Sequence, residues 1–263
     1  MLWMCRPTSV TLVVSEQNYD IIVIGAGASG APLAARASED PNRHVLLLEA
    51  GPDYQDLANT PADLRNGHHN SLVDHDWRLE YSPTERRPGQ PLPRGRVTGG
   101  SSAVNTCIFL RGVPEDYDDW SDRGNPEWRW DNVLRTFCRL ERDLDFGDED
   151  HHGDAGPITV RRYPHEELTE LHQAFLATAD ELGFPECPDQ NHPSALGSGP
   201  QPMNKLGQLR VSTASAYLAP ARLRPNLEIR GGCHTDRLII EKGRVGGVEV
   251  IGPDGSVHRI RAK

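Results

Sequence analysis

The segment from Asp20 to Glu49 reads DIIVIGAGASGAPLAARASEDPNRHVLLLE, and it carries the strongest structural signal in the chain. It opens with four apolar residues, Ile21 to Ile24, that show no polar alternation, which is typical of a strand buried on both faces of a parallel sheet. Gly25, Gly27 and Gly30 follow in the spacing G-x-G-x-x-G. There the first glycine permits a tight turn, the second lets the backbone approach a pyrophosphate, and the third lets a helix pack close to the strand. The segment therefore predicts a dinucleotide-binding turn.

The residues after the turn extend this prediction into a helix and a second strand. The helix is expected from about Ser29 to Glu39, where Asp40-Pro41 ends it. Its first turn would offer unpaired N–H groups and a positive dipole end to phosphates. The second strand, His44 to Leu48, ends in Glu49, whose carboxylate can accept hydrogen bonds from a ribose diol.

The alternative is an α/β turn that binds no nucleotide, because glycines in this spacing also occur in ordinary turns. The order of strand, glycines, helix, strand and terminal Glu49 is a much more specific pattern than the glycines alone. It therefore favours the dinucleotide.

A second glycine-rich motif reads RGRVTGGSSAVN from Arg94 to Asn105. Together with the first motif and with Glu49-Ala50-Gly51, it resembles the signature of the glucose–methanol–choline (GMC) oxidoreductases, flavoenzymes that oxidise alcohols. Thr98 departs from the resemblance, since the family usually has an aliphatic residue there. The resemblance covers about residues 19 to 263, and its further landmarks are Asp76-Trp77, Phe109, Gly112, Asp118, Gly124-Asn125-Pro126, Trp128, Trp130, His152-Gly153, Gly156-Pro157, Arg210, Ser212, Ala214, Ala216-Tyr217-Leu218 and Arg224-Pro225-Asn226-Leu227.

The resemblance implies an α/β fold: a Rossmann-like FAD-binding domain with the incomplete start of a second, substrate-side domain. On this interpretation the FAD-binding core comprises residues 18–51, 93–118 and 217–263. Residues 52–92 would form a lid, and residues 119–216 a helical, substrate-side segment. The strands that this chain offers to the central sheet would leave one sheet edge unpaired.

The resemblance also implies FAD as the cofactor. Asn105 to Ile108 would face the isoalloxazine, and the backbone of Thr235, where the family usually has Val, would read the adenine. Trp77 is expected near the cofactor, with a packing anchor as the alternative. Val104 stands where some choline oxidases carry a His that bonds FAD, so a non-covalent flavin is expected. The expected contacts are Gly25, Ala26, Gly27, Ala28, Gly30, Glu49, Ala50, Gly51, Trp77, Gly95, Gly99, Gly100, Asn105, Thr106, Cys107, Ile108 and Thr235.

The activity implied by the resemblance is hydride transfer from the CH–OH group of a choline-like or aliphatic alcohol to flavin, with a separate electron acceptor. Family members are considerably longer, and their catalytic His comes after the position of Lys263, so no catalytic residue is assigned here. Two alternatives stay open: a non-catalytic fragment or one half of a split flavoprotein, and a nicotinamide-dependent dehydrogenase.

Composition excludes some function classes. The formal net charge is −10, which disfavours nucleic-acid binding because an acidic surface repels phosphate backbones. No run approaches the roughly 18 apolar residues of a membrane span. The five cysteines, at positions 5, 107, 138, 187 and 233, form no C-x-x-C pair, which favours reduced thiols and a cytoplasmic location. Residues 1–17 lie outside the resemblance and are expected to form a disordered leader.

Apolar periodicity predicts further elements beyond the glycine motifs. A helix is expected from Asp131 as N-cap, with Val133, Phe137, Leu140 and Leu144 on one face. A second amphipathic helix is expected over about Glu166 to Leu182, with Leu168, Leu171, Phe175, Ala179 and Leu182 on its apolar face. After Leu227 the chain reads as short strands joined by turns at Lys242-Gly243 and Asp254-Gly255.

Two other groups of residues are candidate sites. The histidines His68-His69, His75 and His151-His152 could suggest a metal, but their spacing lacks the i, i+4 geometry of zinc ligands, so they are interpreted as solvated loop residues. Ser101 and Ser102 lie between small residues, but the G-x-S-x-G spacing of an esterase nucleophile is missing.

Overall fold

The computed structural model describes residues 12–263, with side chains from Tyr19 onward. These residues divide into two compact units. The first unit comprises residues 12–64, 71–104 and 212–263, and the second comprises residues 65–70 and 105–211. Most of the expected lid therefore lies in the first unit, whereas residues 105–118 of the expected core lie in the second. Cys5 and the first part of the expected leader lie outside the described residues.

In chain order the elements are β1 (Leu12–Tyr19), β2 (Ile21–Ile24), α1 (Gly30–Ala37), β3 (Val45–Leu48), α2 (Ala62–Arg65), β4 (Leu79–Tyr81), β5 (Gln90–Leu92), α3 (Pro114–Asp122), α4 (Trp130–Leu140), β6 (Glu141–Asp143), β7 (Ile158–Val160), α5 (Glu170–Glu181), β8 (Lys205–Leu206), β9 (Leu209–Arg210), α6 (Ala219–Ala221), β10 (Leu227–Arg230), β11 (His234–Glu241), β12 (Arg244–Ile251) and β13 (Val257–Ala262). Among the described residues, no helix is both long and apolar enough to cross a membrane.

A three-stranded parallel sheet in the order β10-β3-β2 lies at the centre of the first unit. Helix α1 packs on it through four buried alanines, whose small side chains permit a close approach. All four residues of β3 are buried, but in β2 only Val23 is, and Ile24 is 50% exposed. The prediction that β2 is buried on both faces is therefore wrong, because β2 lies at the edge of the sheet. Helix α1 ends at Ala37, two residues before the predicted end.

A second sheet of the first unit, in the order β1-β13-β12-β11, packs against the parallel sheet. The core that joins them consists of buried Tyr19, Leu46, Leu48, Val248, Val250 and Ile260. The predicted turns are present, with left-handed backbone at Lys242, Gly243 and Gly255. Residues 12–17 belong to β1, which pairs in parallel with β13. The prediction that these residues are disordered is therefore wrong, because hydrogen bonds to β13 supply partners for their backbone groups.

The second unit contains both helices predicted from periodicity. Helix α4 follows Arg129, and the predicted N-cap Asp131 already lies in its first turn. The helix ends at Leu140, so Leu144 lies beyond it. Helix α5 follows Thr169, whose side chain accepts a hydrogen bond from the N–H of His172. This start is later than predicted, because the preceding 3₁₀ turn uses His165–Glu167.

The predicted apolar face of α5 is not buried. Leu171, Phe175 and Leu182 are 78%, 64% and 71% exposed, and only Ala179 is buried. Nothing within the described part of the chain covers this face, so its periodicity correctly predicted a helix but not a core contact.

Candidate functional site

The turn after β2 is held by a hydrogen bond between neighbouring strand ends. The N–H of Gly25 donates to the carbonyl of Leu48 at 2.8 Å. Gly25 has a φ of +88°, in the left-handed region that glycine adopts at little cost. The chain can therefore leave β2 sharply and enter α1.

The second glycine motif closes directly on this turn. The N–H of Gly99 donates to the carbonyl of Ala26 at 2.7 Å. A Cβ on Gly100 would lie 2.6 Å from the Cα of Gly27, so no side chain fits at Gly100. We call the surface formed by Gly25 to Gly30 together with Gly95, Gly99 and Gly100 the glycine cradle. It is lined by backbone, which leaves room for a ligand to approach closely.

The cradle presents unpaired donors. No described residue accepts a hydrogen bond from the backbone N–H groups of Gly27, Ala28 or Ser29. These groups precede α1, whose N-terminal end carries positive partial charge. A Cβ built on Gly27 meets nothing closer than the Cα of Gly100 at 3.8 Å, so the space beside the Cα of Gly27 is open. Free N–H groups, an open approach and a helix N-terminus together suit a phosphate.

Glu49 lies at the end of β3 beside the cradle. Its carboxylate is buried and accepts hydrogen bonds from the N–H groups of Ala26, at 2.9 Å, and Gly51, at 2.8 Å. Burial raises the pKa of Glu49, although the two N–H groups act in the opposite direction. Each carboxylate oxygen has two lone pairs, so these backbone contacts leave capacity for a ligand hydroxyl.

Trp77 is brought to the cradle by a short backbone pairing. Its N–H donates to the carbonyl of Arg94 at 2.9 Å, and the N–H of Arg96 donates to the carbonyl of His75 at 2.7 Å. The guanidinium of Arg96 lies over the indole, 5.2 Å from the ring centroid. The imidazole of His234 is also in contact with the indole, with ring centroids 6.0 Å apart.

These groups surround a cleft of about 370 Å³ in the first unit. The expected contact residues that line it are Gly25, Gly27, Ala28, Glu49, Ala50, Trp77, Gly95, Gly100 and Thr235. Its six other residues were not predicted as contacts: Ile24, Leu48, Arg94, Ser101, Cys233 and His234. The cradle, its free donors and Glu49 fit the pyrophosphate and ribose of a dinucleotide.

The expected isoalloxazine contacts, Asn105 to Ile108, belong to the second unit. The Nε of Arg210 donates to the carbonyl of Asn105 at 3.0 Å, and the N–H of Cys107 donates to the side-chain oxygen of Asn105 at 3.1 Å. Cys107 is fully buried, and burial raises the pKa of its thiol. All four cysteines in the described part of the chain are free thiols.

Thr98 and Thr235 share an unusual feature. The hydroxyl oxygen of each is buried and has no hydrogen-bond partner among the described residues. A buried hydroxyl without a partner is destabilising. Both threonines stand where the family resemblance leads us to expect aliphatic residues. The extra hydroxyl group at each position is the one that lacks a hydrogen-bond partner among the described residues.

The structure corrects the interpretation of two histidines. His75 and His152 are 5% exposed, whereas His68 and His69 are exposed as predicted. The Nδ1 of His152 lies 2.8 Å from Glu141 and 3.2 Å from Asp143, and its Nε2 lies 3.0 Å from Asp189. A local spacing rule cannot find these partners, since they come from two segments of the second unit, β6 with Glu141 and Asp143 and a later loop with Asp189.

Arginines complete this arrangement, which we call the charge cluster. Arg111 pairs with Glu141, and Arg162 pairs with both Asp143 and Asp189. Two guanidiniums and one imidazolium thus offset the three carboxylates of Glu141, Asp143 and Asp189. The members of the cluster are all buried or nearly so.

The cluster is better explained by ion pairs than by a metal. Groups of His and carboxylate ligands such as Glu141, Asp143 and His152 lie close enough together to hold an ion. However, burial alone would lower the pKa of His152, and its hydrogen bonds to Asp189 and Glu141 outweigh burial and raise that pKa to about 9. Arg111 and Arg162 also pair with these carboxylates, so their negative charge is offset without a metal ion.

The model of the family described as GMC oxidoreductase matches residues 19–263. The chain belongs to the GMC oxidoreductase family. This confirms the resemblance and the α/β fold class inferred from the two glycine motifs.

Individual GMC relatives support the same assignment. The chain is 38% identical over 247 residues to the pyridoxine 4-oxidase of Microbacterium luteolum, covering 90% of this chain and 47% of that protein. It is 37% identical over 273 residues to the mitochondrial choline dehydrogenase of Mus musculus, covering 97% of this chain and 44% of that protein. The crystal structure of pyridoxine 4-oxidase from Mesorbium loti superposes with a TM-score of 0.85 at 32% identity, covering 93% of this chain and 48% of the other.

The chain spans about half the length of the curated relatives it matches. Arg94 and His234 of this GMC chain line the cleft although the sequence did not indicate them as contacts. Arg94 had a signal, since it opens the second motif. His234 had only its position next to Thr235.

Proposed function

We propose that this chain forms the FAD-binding part of a GMC-type oxidoreductase that oxidises the CH–OH group of an alcohol. The observation that carries the proposal is the contact between Gly27 and Gly100, which joins both glycine motifs into a cradle with free N–H donors. Bound FAD would supply the redox chemistry by accepting a hydride from the alcohol carbon. The residues of this chain bind and orient the dinucleotide.

The proposed contacts follow the order of the parts of FAD. The N–H groups of Gly27 and Ala28 hold the pyrophosphate, and Glu49 accepts a hydrogen bond from the ribose diol. The backbone of Thr235 reads the adenine. Asn105 to Ile108 face the isoalloxazine, where Cys107 acts as a packed residue and not as a redox thiol.

We propose that the flavin is held without a covalent bond. Val104 is buried and aliphatic, and it occupies the position at which some choline oxidases attach FAD through His. A hydrocarbon side chain has no nucleophilic atom with which to form that bond. Acid precipitation of the FAD-loaded protein should therefore release all of the flavin into the supernatant.

The substrate is proposed to be a small alcohol of the choline-like or aliphatic type, with a separate electron acceptor. Relatives named for the oxidation of pyridoxine and the dehydrogenation of choline support this class. The proton acceptor is not assigned to a residue of this chain. A reducing, cytoplasmic location is proposed from the free thiols at positions 107, 138, 187 and 233.

Calorimetric titration of the purified chain with FAD and with NAD tests the cofactor. Binding of FAD, with the yellow absorption of protein-bound flavin, is expected, and NAD should bind far more weakly. Tight NAD binding without flavin uptake would refute the proposal.

The substrate class is tested on the FAD-loaded protein by anaerobic addition of choline, pyridoxine and a primary aliphatic alcohol. Bleaching of the flavin absorption by one of these alcohols supports alcohol oxidation. Bound flavin that none of them reduces would contradict it.

A further inference from the structure

The order of pyrophosphate, ribose and adenine in a dinucleotide indicates where the adenine lies in the cleft. The glycine cradle suits the pyrophosphate and Glu49 suits the adjoining ribose, so the adenine must lie beyond Glu49 on the side away from the cradle. Two hydrogen bonds fix which residues occur there. The N–H of Cys233 donates to the carbonyl of Glu49, and the N–H of Gly232 donates to the carbonyl of Gly51, each at 2.8 Å. The start of β11 therefore forms the wall next to the ribose position.

Two aromatic side chains stand at this wall. His234 is exposed and Trp77 is 38% exposed, and both line the cleft together with Glu49. Their ring planes are inclined at 58° with centroids 6.0 Å apart, which is direct ring contact. A base cannot enter between rings that already touch, so the pair presents one continuous angled surface.

Neighbouring residues hold the indole of Trp77 in place. Backbone pairing of residues 75–77 with residues 94–96 fixes Trp77, and the guanidinium of Arg96 packs against its ring. Ring surfaces that are held in place stack on a base at a lower entropic cost than mobile ones.

We propose that Trp77 and His234 form an aromatic corner that stacks on the adenine of the bound dinucleotide. The inference rests on the proposed FAD binding and adds a subsite that separates a dinucleotide from a mononucleotide. Every base has a π-face, so the corner contributes affinity, while recognition of the base edge is left to the backbone of Thr235.

The test uses His234→Ala and, as the conservative variant, His234→Phe, in the full chain. Base–aromatic stacking has a known range of energies, from which we expect His234→Ala to weaken binding of FAD and of ADP about tenfold. His234→Phe should restore most of that affinity. FMN lacks the adenine, so its weaker binding should be the same in all variants.

Trp77 provides an independent readout. Binding of ADP should quench part of the intrinsic tryptophan fluorescence, and Trp77→Phe should remove that part of the signal while it keeps most of the affinity. His44→Ala is the matched control, because His44 is an exposed histidine of the same unit that does not line the cleft. Its affinities should equal those of the wild type.

The binding results for FAD, ADP and FMN distinguish failure of the aromatic corner from failure of FAD binding as a whole. Wild-type affinity for ADP and FAD in His234→Ala would overturn the aromatic corner, while FAD binding itself would still stand. Equal weakening of FMN and FAD would also overturn it, because the effect would not depend on the adenine. A wild-type chain that binds neither FAD nor ADP would contradict both proposals.

Discussion

The glycine cradle of the first unit and the charge cluster of the second unit use polar groups in opposite ways. In the cradle, the backbone N–H groups of Gly27 and Ala28 have no acceptor among the described residues, and both residues line an open cleft. In the charge cluster, the buried side chains of His152 and Arg162 each pair with the carboxylates of Asp143 and Asp189. Donors left open on a cleft indicate a ligand, whereas buried charges that pair with one another indicate a structural role.

The energetic reason for this difference is desolvation. A charge removed from water needs several good partners, and the loss of one partner leaves another charge uncompensated. A backbone N–H that still faces a cleft keeps water as a partner until a ligand replaces it. Substitutions in the charge cluster should therefore change stability, and substitutions in the cradle should change affinity.

The largest expected effect is that of His152→Gln. This change leaves three carboxylates against two guanidiniums, and it should lower the free energy of unfolding by about 3–5 kcal/mol near pH 6. Because the pKa of His152 is raised from 6.5 to about 9, its contribution is fully present below pH 6.5 and is lost as the pH rises through about 9. Urea unfolding of wild type and variant across this range should show the difference shrinking with pH.

His151→Gln is the matched control for the charge cluster. Burial, followed by the neighbouring His152, lowers the pKa of His151. The neutral form of His151 is therefore favoured in the folded state, and the stability that this residue contributes is lost as the pH falls. At neutral pH, His151→Gln should be nearly as stable as the wild type. A stability difference for His152→Gln that does not depend on pH would contradict a protonated His152.

A pair of glycine variants separates folding from binding in the cradle. A Cβ on Gly30 would lie 1.9 Å from the carbonyl oxygen of Gly25, so Gly30→Ala should cost about 1–3 kcal/mol of stability. A Cβ on Gly27 meets only the Cα of Gly100 at 3.8 Å. Gly27→Ala should therefore fold normally, but its methyl group occupies the approach of the pyrophosphate and should weaken FAD binding about 10–100-fold.

Thermal unfolding and FAD titration of both glycine variants provide the measurement. Equal loss of stability in the two variants would mean that the space in front of Gly27 is not open. Unchanged FAD affinity in Gly27→Ala would mean that the cradle does not hold the pyrophosphate.

The smallest expected effect is a gain in stability. The buried hydroxyl of Thr98 has no partner among the described residues, so Thr98→Val should raise the free energy of unfolding by about 1 kcal/mol. Thr159→Val is the contrasting variant, since the hydroxyl of buried Thr159 accepts a hydrogen bond from Arg142 at 3.0 Å. It should be destabilised in the same thermal measurement, and a loss of stability in Thr98→Val would indicate a partner for the Thr98 hydroxyl.

The sequence predicted the glycine turn, helix α1 and strands β2, β3 and β10 to β13 of the first unit because their signals are local. Strand residues, glycine spacing and helix breakers act within a few positions of one another, and the predicted order β2, α1, β3 was confirmed. Exact helix ends were predicted less well: α4 and α5 start at residues other than those expected, since capping depends on backbone angles as well as on residue type. The assignment of individual residues to FAD stays a prediction.

By itself, the amino-acid sequence determined the family, the fold class and the two glycine motifs, because each depends on residue types at short, fixed spacings. Only the tertiary structure decided that Gly100 touches Gly27, that His234 joins Trp77 at the cleft, and that His152 is buried among three carboxylates. These contacts join residues that are separated along the chain by 9 to 157 positions, as their residue numbers show. The physical reason is that burial, desolvation and ring contact depend on neighbours in space, which local periodicity does not specify.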